Sequence, residues 1–287
     1  MKTLLAVDGS DNSYEAVRAV KYLNRAEELT LLHAVDVPRP AYPMMVPEVS
    51  HELYAELERS MKEDGTKLLD RVQSLLPPHT GPVTKQLEVG SPAEVIVTTA
   101  ESRHVDLIVM GARGLGPVKE RLFGSVSHRV LSFAPCAKLI LNVPLRDLKQ
   151  VLLPLQGQYD ADAAVRFFEK QPFKNPIGVT IMTVLPSTRP PWPIDAEAAE
   201  KLEAQALRHA RDFVEAAAAK LRALGQTVRA TSVLGSPATM IVHEAEKLQP
   251  DLIMMGSRGR QGLTRFVLGS VSHAVLHQAP CPVLVFE

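Results

Sequence analysis

The sequence has few cysteines, no net charge and no long hydrophobic run, and each of these features argues against a class of protein. Only two of its 287 residues are cysteines, Cys136 and Cys281, and neither belongs to a CxxC pair or a Cys/His cluster. This pattern favours two small buried thiols over a disulfide or a metal site. Lys plus Arg and Asp plus Glu both number 32, so the chain lacks the basic field of a protein that binds nucleic acid or an anionic membrane.

Targeting and membrane segments are also missing from the sequence pattern. No uninterrupted apolar run approaches the ~20 residues of a membrane span. The first residues, MKTLLAVDGSDNS, contain too short an apolar run for a secretion signal. We therefore expect a cytoplasmic globular protein, and its 46% of hydrophobic residues predicts well-filled cores.

The chain contains an internal duplication. The stretch MGARGLGPVKERLFGSVSH at 110–128 returns as MGSRGRQGLTRFVLGSVSH at 255–273, and the tripeptide APC follows each copy. A repeat of this length is a complete domain and not a solenoid unit. The sequence therefore predicts two related domains, residues 1–146 and 147–287.

Within each half, short apolar runs alternate with longer helical patterns. The runs TLLAV, ELTLLHAV, VTKQLEV, DLIVM and AKLILNV predict five strands in the first half, with four helices between them. Several runs are apolar throughout, which is typical of strands covered on both faces. Strict alternation predicts an α/β fold with two tandem domains, each a doubly wound parallel sheet of five strands and four helices.

Two local patterns add detail to this fold. The pairs Ser91-Pro92 and Ser236-Pro237 predict the N-cap and first residue of a helix in each half. A proline-rich segment follows the second strand of each half, PRPAYPMMVPE in one and PSTRPPWPI in the other. These segments are interpreted either as mobile flaps beside a site or as plain surface loops.

Glycines follow the fourth predicted strand, at the edge of the sheet where ligands of open parallel sheets bind. Gly111, Gly114 and Gly124 can turn backbone N–H groups towards a ligand, and a helix that begins at Ser125 adds free donors and partial positive charge. Asp8, after the first strand, is a candidate acceptor for ribose hydroxyls. Together these residues predict a phosphate cradle within a nucleotide site.

A purely structural interpretation of these glycines is also available. A glycine after a strand is often only a turn, and Gly-Ser before a helix is often only a cap. The duplication of the whole pattern and a local excess of basic residues favour binding instead. Those residues are Arg113, Lys119 and Arg121 in the first loop, and Arg258, Arg260 and Arg265 in the second.

The duplicated pattern, G-x2-G-x9-G-S, resembles the nucleotide-binding motif of the universal stress protein family in its tandem form. The resemblance implies an adenine nucleotide alpha-hydrolase-like fold that binds ATP, with ADP or AMP as alternatives, and places the first-strand aspartate near the ribose and residues 34 and 35 beside adenine. Asp8 would also be the candidate ligand for a Mg²⁺ ion that accompanies ATP. The resemblance further implies a role in stress response, pairing of the two halves through AKLILNV and CPVLVFE, and a possible homodimer.

The resulting candidate site has two parts. In the first half it comprises Asp8, Gly9, Ser10, Ala34, Val35, Gly111, Arg113, Gly114, Gly124, Ser125 and Val126. In the second half it comprises Gly256, Arg258, Gly259, Gly269 and Ser270.

The second half departs from the family pattern at its first strand. Gln156 stands where Asp8 stands in the first half, and Gln158 replaces Ser10. Pro154 lies inside this strand and suggests an irregular or edge strand. We therefore expect the first site to bind ATP and the second to bind it weakly, to bind differently or not to bind.

The histidines leave the question of catalysis open. His128 and His273 each end a GSVSH stretch, where they could either sense phosphate charge or simply pack. His33 lies in an apolar strand and is interpreted as a hydrogen-bonded core histidine. No nucleophile with a base and an acid emerges. An ATP-binding regulator or sensor is the preferred function, with a slow ATPase or adenylate-transferring enzyme and a scaffold without nucleotide as alternatives.

Overall fold

The computed structural model describes residues 1–38, 47–114, 124–186, 196–257 and 268–287. The described chain divides into two compact units, Met1–Leu141 and Asn142–Glu287. Most of each proline-rich segment lies outside the described residues.

Unit 1 is a parallel five-stranded sheet with helices between successive strands. The strands are β1 (Lys2–Ala6), β2 (Glu28–Val35), β3 (Val83–Val89), β4 (Leu107–Gly111) and β5 (Ala137–Leu141). The α-helices are α1 (Asp11–Ala19), α2 (Pro47–Leu75), α3 (Pro92–Ser102) and α4 (Ser125–Phe133), and a 3₁₀ turn follows α1 at Val20–Tyr22. The strand order β3-β2-β1-β4-β5 reverses between β1 and β4.

Unit 2 repeats this arrangement. Its strands are β6 (Gln150–Pro154), β7 (Gly178–Leu185), β8 (Thr227–Leu234), β9 (Leu252–Gly256) and β10 (Val283–Phe286). Its helices are α5 (Gln158–Glu169), α6 (Ala196–Ala223), α7 (Pro237–Leu248) and α8 (Ser270–Gln278). The order β8-β7-β6-β9-β10 reverses between β6 and β9, and the predicted α/β fold is confirmed.

The cores lie on both faces of the central strands, as the uninterrupted apolar runs predicted. All five residues of β4 are buried, and Leu4 and Leu5 of β1 are fully inaccessible. Burying one such side chain contributes about 1.5–3 kcal/mol relative to leaving it in water. These two strands therefore give the carboxyl edge of the sheet a rigid base.

The expectation of an edge strand at Pro154 is wrong in part. β6 lies between β7 and β9, so it is an interior strand of its sheet. It pairs with β9 only through Val151 and Leu152, whereas the equivalent ladder of unit 1 extends over four residues, Thr3–Ala6. Proline has no N–H to donate to a neighbouring strand. The pairing of β6 with β9 therefore ends before Pro154, the last residue of the strand.

The predicted helix starts at Ser91 and Ser236 are correct in position but not in mechanism. Both serines occupy the N-cap, yet neither hydroxyl makes a capping hydrogen bond. Pro92 and Pro237 follow them at the first helical positions, where their fixed φ suits a helix and no N–H is missed. The prolines therefore define these starts.

Both cysteines are buried and neither forms a disulfide, which confirms their interpretation as small buried thiols. Among the described residues, no helix is long and apolar enough to cross a membrane.

Burial of Cys281 predicts a loss of stability at high pH. Desolvation raises the pKa of this thiol from 9.0 to about 12. Between these two values the unfolded chain releases the proton and the folded chain keeps it, so the free energy of unfolding falls as pH rises, by up to about 1.4 kcal/mol per pH unit. Urea unfolding at pH values on either side of 9.0 should show this slope. Cys281→Ala should remove it, and an unchanged slope in the variant would contradict the assignment.

Candidate functional site

Unit 1 has a cavity of about 570 Å³ at the carboxyl ends of β1 and β4, where the strand order reverses. Eight of the predicted site residues line it: Asp8, Ala34, Gly111, Arg113, Gly114, Gly124, Ser125 and Val126. Gly9 and Ser10 adjoin Asp8 without lining the cavity, and Val35 is buried inside β2. Two stretches about a hundred residues apart in sequence thus meet at one cavity.

Asp8 is held in place by the turn that follows β1. Its Oδ1 accepts hydrogen bonds from the backbone N–H of Ser10 at 3.0 Å and from the Ser10 hydroxyl at 2.6 Å. Gly9, with a φ of +82°, provides the left-handed step that this tight turn requires. Ser10 Oγ also accepts from the N–H of Ser13, which caps α1, and lies 3.1 Å from the carbonyl oxygen of Arg113. Ser10 therefore joins the aspartate, the helix and the glycine loop.

The other oxygen of Asp8 lies directly against the glycine loop. A Cβ atom placed on Gly114 would be 2.3 Å from Asp8 Oδ2, much closer than two such atoms can approach. The sequence interpretation proposed a ribose-binding role for Asp8 and gave no distance between it and the loop. The structure brings the carboxylate beside Gly114, and the absence of a side chain there makes room for it.

The first glycine of the motif, Gly111, lacks a side chain for a different structural reason. A Cβ on Gly111 would lie 2.7 Å from the backbone carbon of Asn12 and 2.9 Å from its oxygen. Gly111 thus allows the end of β4 to pack directly on the first turn of α1. For this glycine a packing role is evident whether or not a ligand is bound.

The helix α4 begins at the cavity, and the N–H groups of its first turn have no partner within the helix. Its N-cap, Gly124, supplies no side-chain hydrogen bond, and the first two helical residues, Ser125 and Val126, line the cavity. Helix N-terminal N–H groups without intrahelical partners attract anions. The chemistry of this wall therefore suits a phosphate or carboxylate.

The GSVSH stretch also contains a structural residue that the sequence interpretation missed. Ser127 is buried, and its hydroxyl is 2.7 Å from the carbonyl oxygen of Ala112, just beyond β4. In unit 2, Ser272 donates to the carbonyl oxygen of Gly256 at 2.9 Å. These bonds fix each helix N-terminus to the end of its strand. The serine occurs at the same place in both GSVSH stretches, and this repetition is the sequence signal that could have identified it.

The histidines are separate from the cavities. His128 and His273 are exposed, and neither is among the described residues that line the two cavities. His33 is half-buried, and its Nδ1 lies 2.8 Å from the carbonyl oxygen of Val7. The expected hydrogen bond is therefore present, but His33 is not one of the buried core residues.

Unit 2 has an equivalent but smaller cavity of about 180 Å³. Leu155 N–H bonds to the Met182 carbonyl just as Val7 N–H bonds to that of Leu32, so Gln156 does take the place of Asp8. Gln156, Gly256, Gly269 and Ser270 line this cavity. Several candidate residues lie outside the described residues: Lys119, Arg121, Arg258, Gly259, Arg260 and Arg265.

A carboxylate in this second cavity was also missed. Asp160, on the first turn of α5, lines the cavity with only 7% of its surface exposed. Its Oδ2 accepts the backbone N–H of Gln156 at 3.0 Å, and its Oδ1 would be 2.5 Å from a Cβ placed on Gly256. Burial raises the pKa of this carboxyl, and the bond from Gln156 opposes that shift. Counting four residues on from Gln156, as from Asp8 to Asn12, would have located it.

Metal-binding clusters are not evident in the parts of the chain that the structure describes. No group of three or more His, Cys, Asp or Glu side chains occurs there that could hold a metal ion. Asp8 is the single acidic side chain among the described residues that line the first cavity.

The fold and the cavities define a duplicated, doubly wound α/β protein with one cavity at each reversal of strand order. The chain belongs to the universal stress protein family, whose model matches residues 1–142 and again residues 148–287.

The relatives include tandem proteins of the same length. The universal stress protein Rv2623 of Mycobacterium tuberculosis is 29% identical over 291 aligned positions, which cover 96% of this chain and 94% of that protein. A crystal structure of a universal stress protein from Archaeoglobus fulgidus covers 100% of this chain and 96% of its own, with 22% identity and a TM-score of 0.64. A universal stress protein solved in complex with cAMP covers 49% of this chain and 96% of its own, with 22% identity and a TM-score of 0.32.

Proposed function

We propose that unit 1 binds ATP and that the protein acts as a nucleotide-dependent regulator or sensor in a stress response. The observation that carries this proposal is the convergence of Asp8, Gly114 and the uncapped start of α4 on one cavity of about 570 Å³. A carboxylate beside a side-chain-free loop and a helix N-terminus offers acceptors for hydroxyls and donors for phosphates.

The phosphates would bind at the start of α4. Ser125 and Val126 line the cavity, and the N-cap residue makes no side-chain hydrogen bond to the first turn of α4. Arg113, which lines the same cavity, adds a positive charge suited to a phosphate. The anion of ATP therefore has both backbone and side-chain partners within unit 1.

The base and sugar would bind towards β1 and β2. Leu32, Ala34, Pro92 and Ile96 form an apolar wall suited to the face of an adenine ring. Asp8 is fixed through Oδ1, which leaves Oδ2 to accept a ribose hydroxyl or to help hold a Mg²⁺ ion that accompanies the phosphates. ATP, ADP and AMP share the same base and sugar, so the apolar wall and Asp8 would serve all three.

Binding is better supported than turnover. Among the described residues that line the cavity, Asp8 and Arg113 are the only side chains that carry charge, and no histidine or second carboxylate accompanies them. General acid–base catalysis needs a positioned proton donor or acceptor near the reacting atoms. We therefore propose that nucleotide binding controls the conformation of the protein or its association with other chains.

A mass spectrum of small molecules released from the purified protein on denaturation should test this proposal. We expect an adenine nucleotide, and calorimetric titration of the emptied protein with ATP should give one site per chain. A single site follows because the carboxylate and larger cavity of unit 1 are replaced in unit 2 by Gln156 and a cavity of about 180 Å³. Absence of ATP binding in both measurements would contradict the proposal.

A further inference from the structure

The cavity of unit 1 is also lined by Ser13, a buried serine in the first turn of α1. Only 3% of its surface is exposed. Its backbone N–H donates to Ser10 Oγ at 3.2 Å, but its own hydroxyl has no hydrogen-bond partner among the residues that the structure describes. A buried hydroxyl without a partner destabilises a folded protein, because it loses its bonds to water and gains none in return.

The duplicate unit shows that the fold does not require this hydroxyl. Asn12 and Asp160 each face the glycine that ends the fourth strand of their unit, so these two helix residues correspond. The residues that follow them, Ser13 and Ala161, therefore correspond as well. Ala161 is 2% exposed, and α5 forms around it without a hydroxyl. Unit 1 thus carries a costly polar group that its duplicate lacks, which favours a partner that arrives with a ligand.

Ser13 is connected to Asp8 through Ser10. The hydroxyl of Ser10 accepts from the Ser13 N–H and donates to Asp8 Oδ1 at 2.6 Å. Asp8 and Ser13 belong to the same turn and line the same cavity. A carboxylate accepts hydrogen bonds, whereas a serine hydroxyl also donates them. A hydroxyl group of a ligand would satisfy both residues, because it donates its hydrogen to the carboxylate and accepts one from the serine.

A phosphate suits this pair of side chains less well than a neutral hydroxyl. Phosphate oxygens are negatively charged, and they would approach the Asp8 carboxylate with no hydrogen to give it. The phosphate partners proposed above lie on other elements, at the start of α4 and at Arg113. The part of a nucleotide that carries neutral hydroxyl groups is its ribose.

We propose that the Ser13 hydroxyl donates a hydrogen bond to a ribose hydroxyl of the bound nucleotide, and that it makes unit 1 selective against nucleotides that lack this hydroxyl. The inference rests on the proposed adenine nucleotide site and adds a residue that determines its specificity. Asp8 accepts from the ribose hydroxyl and Ser13 donates to it.

Calorimetric titration of the full chain with ATP, 2′-deoxy-ATP and 3′-deoxy-ATP tests this proposal. The wild type should bind one of the two analogues roughly tenfold or more weakly than ATP, because that analogue loses its bonds to both Asp8 and Ser13. Ser13→Ala should weaken ATP about threefold to tenfold, the effect of one hydrogen bond between neutral groups. The preference for ATP over that analogue should shrink by the same factor, since the analogue has no bond to Ser13 to lose.

Thermal unfolding of the protein without nucleotide distinguishes this role from a structural one. Ser13→Ala removes a buried hydroxyl but keeps the N–H that donates to Ser10, so the unfolding midpoint should stay unchanged or rise. Ser132→Ala is the matched control. Ser132 is half-buried on α4, its Oγ lies 3.0 Å from the carbonyl oxygen of His128, and it is not among the described residues that line the cavity. Its replacement should leave both ATP affinity and the ribose preference unchanged.

Several results would overturn the inference and leave ATP binding by unit 1 intact. These are equal binding of ATP and both analogues by the wild type, an unchanged ribose preference in Ser13→Ala, and a lower unfolding midpoint of that variant without nucleotide. An equal loss of ribose preference in Ser132→Ala would overturn it as well. If the wild type binds no adenine nucleotide, the proposed function fails together with this inference.

Discussion

Gly114→Ala should weaken ATP binding by at least tenfold while the protein stays folded. The added Cβ would lie 2.3 Å from Asp8 Oδ2, so the carboxylate or the loop has to move. Asp8 cannot move without breaking its bonds from the Ser10 N–H and hydroxyl. A displacement of the acceptor or of the loop donors costs at least one charge-assisted hydrogen bond to the nucleotide, about 1.5–3 kcal/mol.

Calorimetry on a double-mutant cycle would show how Gly114 acts. If Gly114→Ala works through Asp8, its effect should be much smaller in the Asp8→Ala background than in the wild type. Gly157→Ala is a suitable control, because a Cβ at Gly157 meets no atom within 4 Å and its φ of −174° is ordinary extended backbone. An ATP affinity unaffected by Gly114→Ala would refute the close approach of loop and carboxylate as a feature of the binding site.

Gly111→Ala should destabilise unit 1 by about 1–3 kcal/mol, the usual cost of adding a methyl group to a filled core. The Cβ would contact the backbone of Asn12 at 2.7 Å, and a backbone atom on the first turn of α1 cannot be moved aside by rotating a side chain. The helix and the end of β4 would have to separate. Hydrogen exchange of peptides from β1, β4 and α1 should therefore quicken relative to peptides from unit 2.

The duplication supplies the control for this prediction. At the corresponding Gly256 the nearest atoms to an added Cβ belong to the Asp160 side chain, with Oδ1 at 2.5 Å. A side chain can yield more easily than a helix backbone, so Gly256→Ala should destabilise its unit less than Gly111→Ala destabilises unit 1. Equal losses in the two variants would show that backbone contact at Asn12 is not the cause.

Much of the architecture was predictable because it depends on local patterns. The bounds predicted for β2 and β3, and the first residues predicted for α4 and α7, agree with the structure. These segments have strong end signals, such as the Ser-Pro pair before α7 and the Gly-Ser pair at the start of α4. Apolar runs of five to eight residues between such signals leave little choice of structure.

Pro154 shows where local reasoning failed. A proline inside a strand is usually found at a sheet edge, but β6 lies inside its sheet. The strand tolerates the proline because it sits at the last position, after the ladder with β9 has ended. The length of the pairing between β6 and β9 depends on two segments about a hundred residues apart in sequence. A local pattern around Pro154 therefore cannot predict it.

The sequence by itself determined the duplication, the alternation of strands and helices, the family, and the residues that converge on the cavity of unit 1. These properties follow from apolar periodicity, from glycine and proline positions, and from comparison of one half of the chain with the other. Only the tertiary structure decided that Gly111 serves packing on α1, that Gly114 adjoins Asp8, and that Asp160 restores a carboxylate to unit 2. The reason is physical: each of these facts is a distance of a few ångströms between groups on different elements, and such distances are set by how helices pack on the sheet.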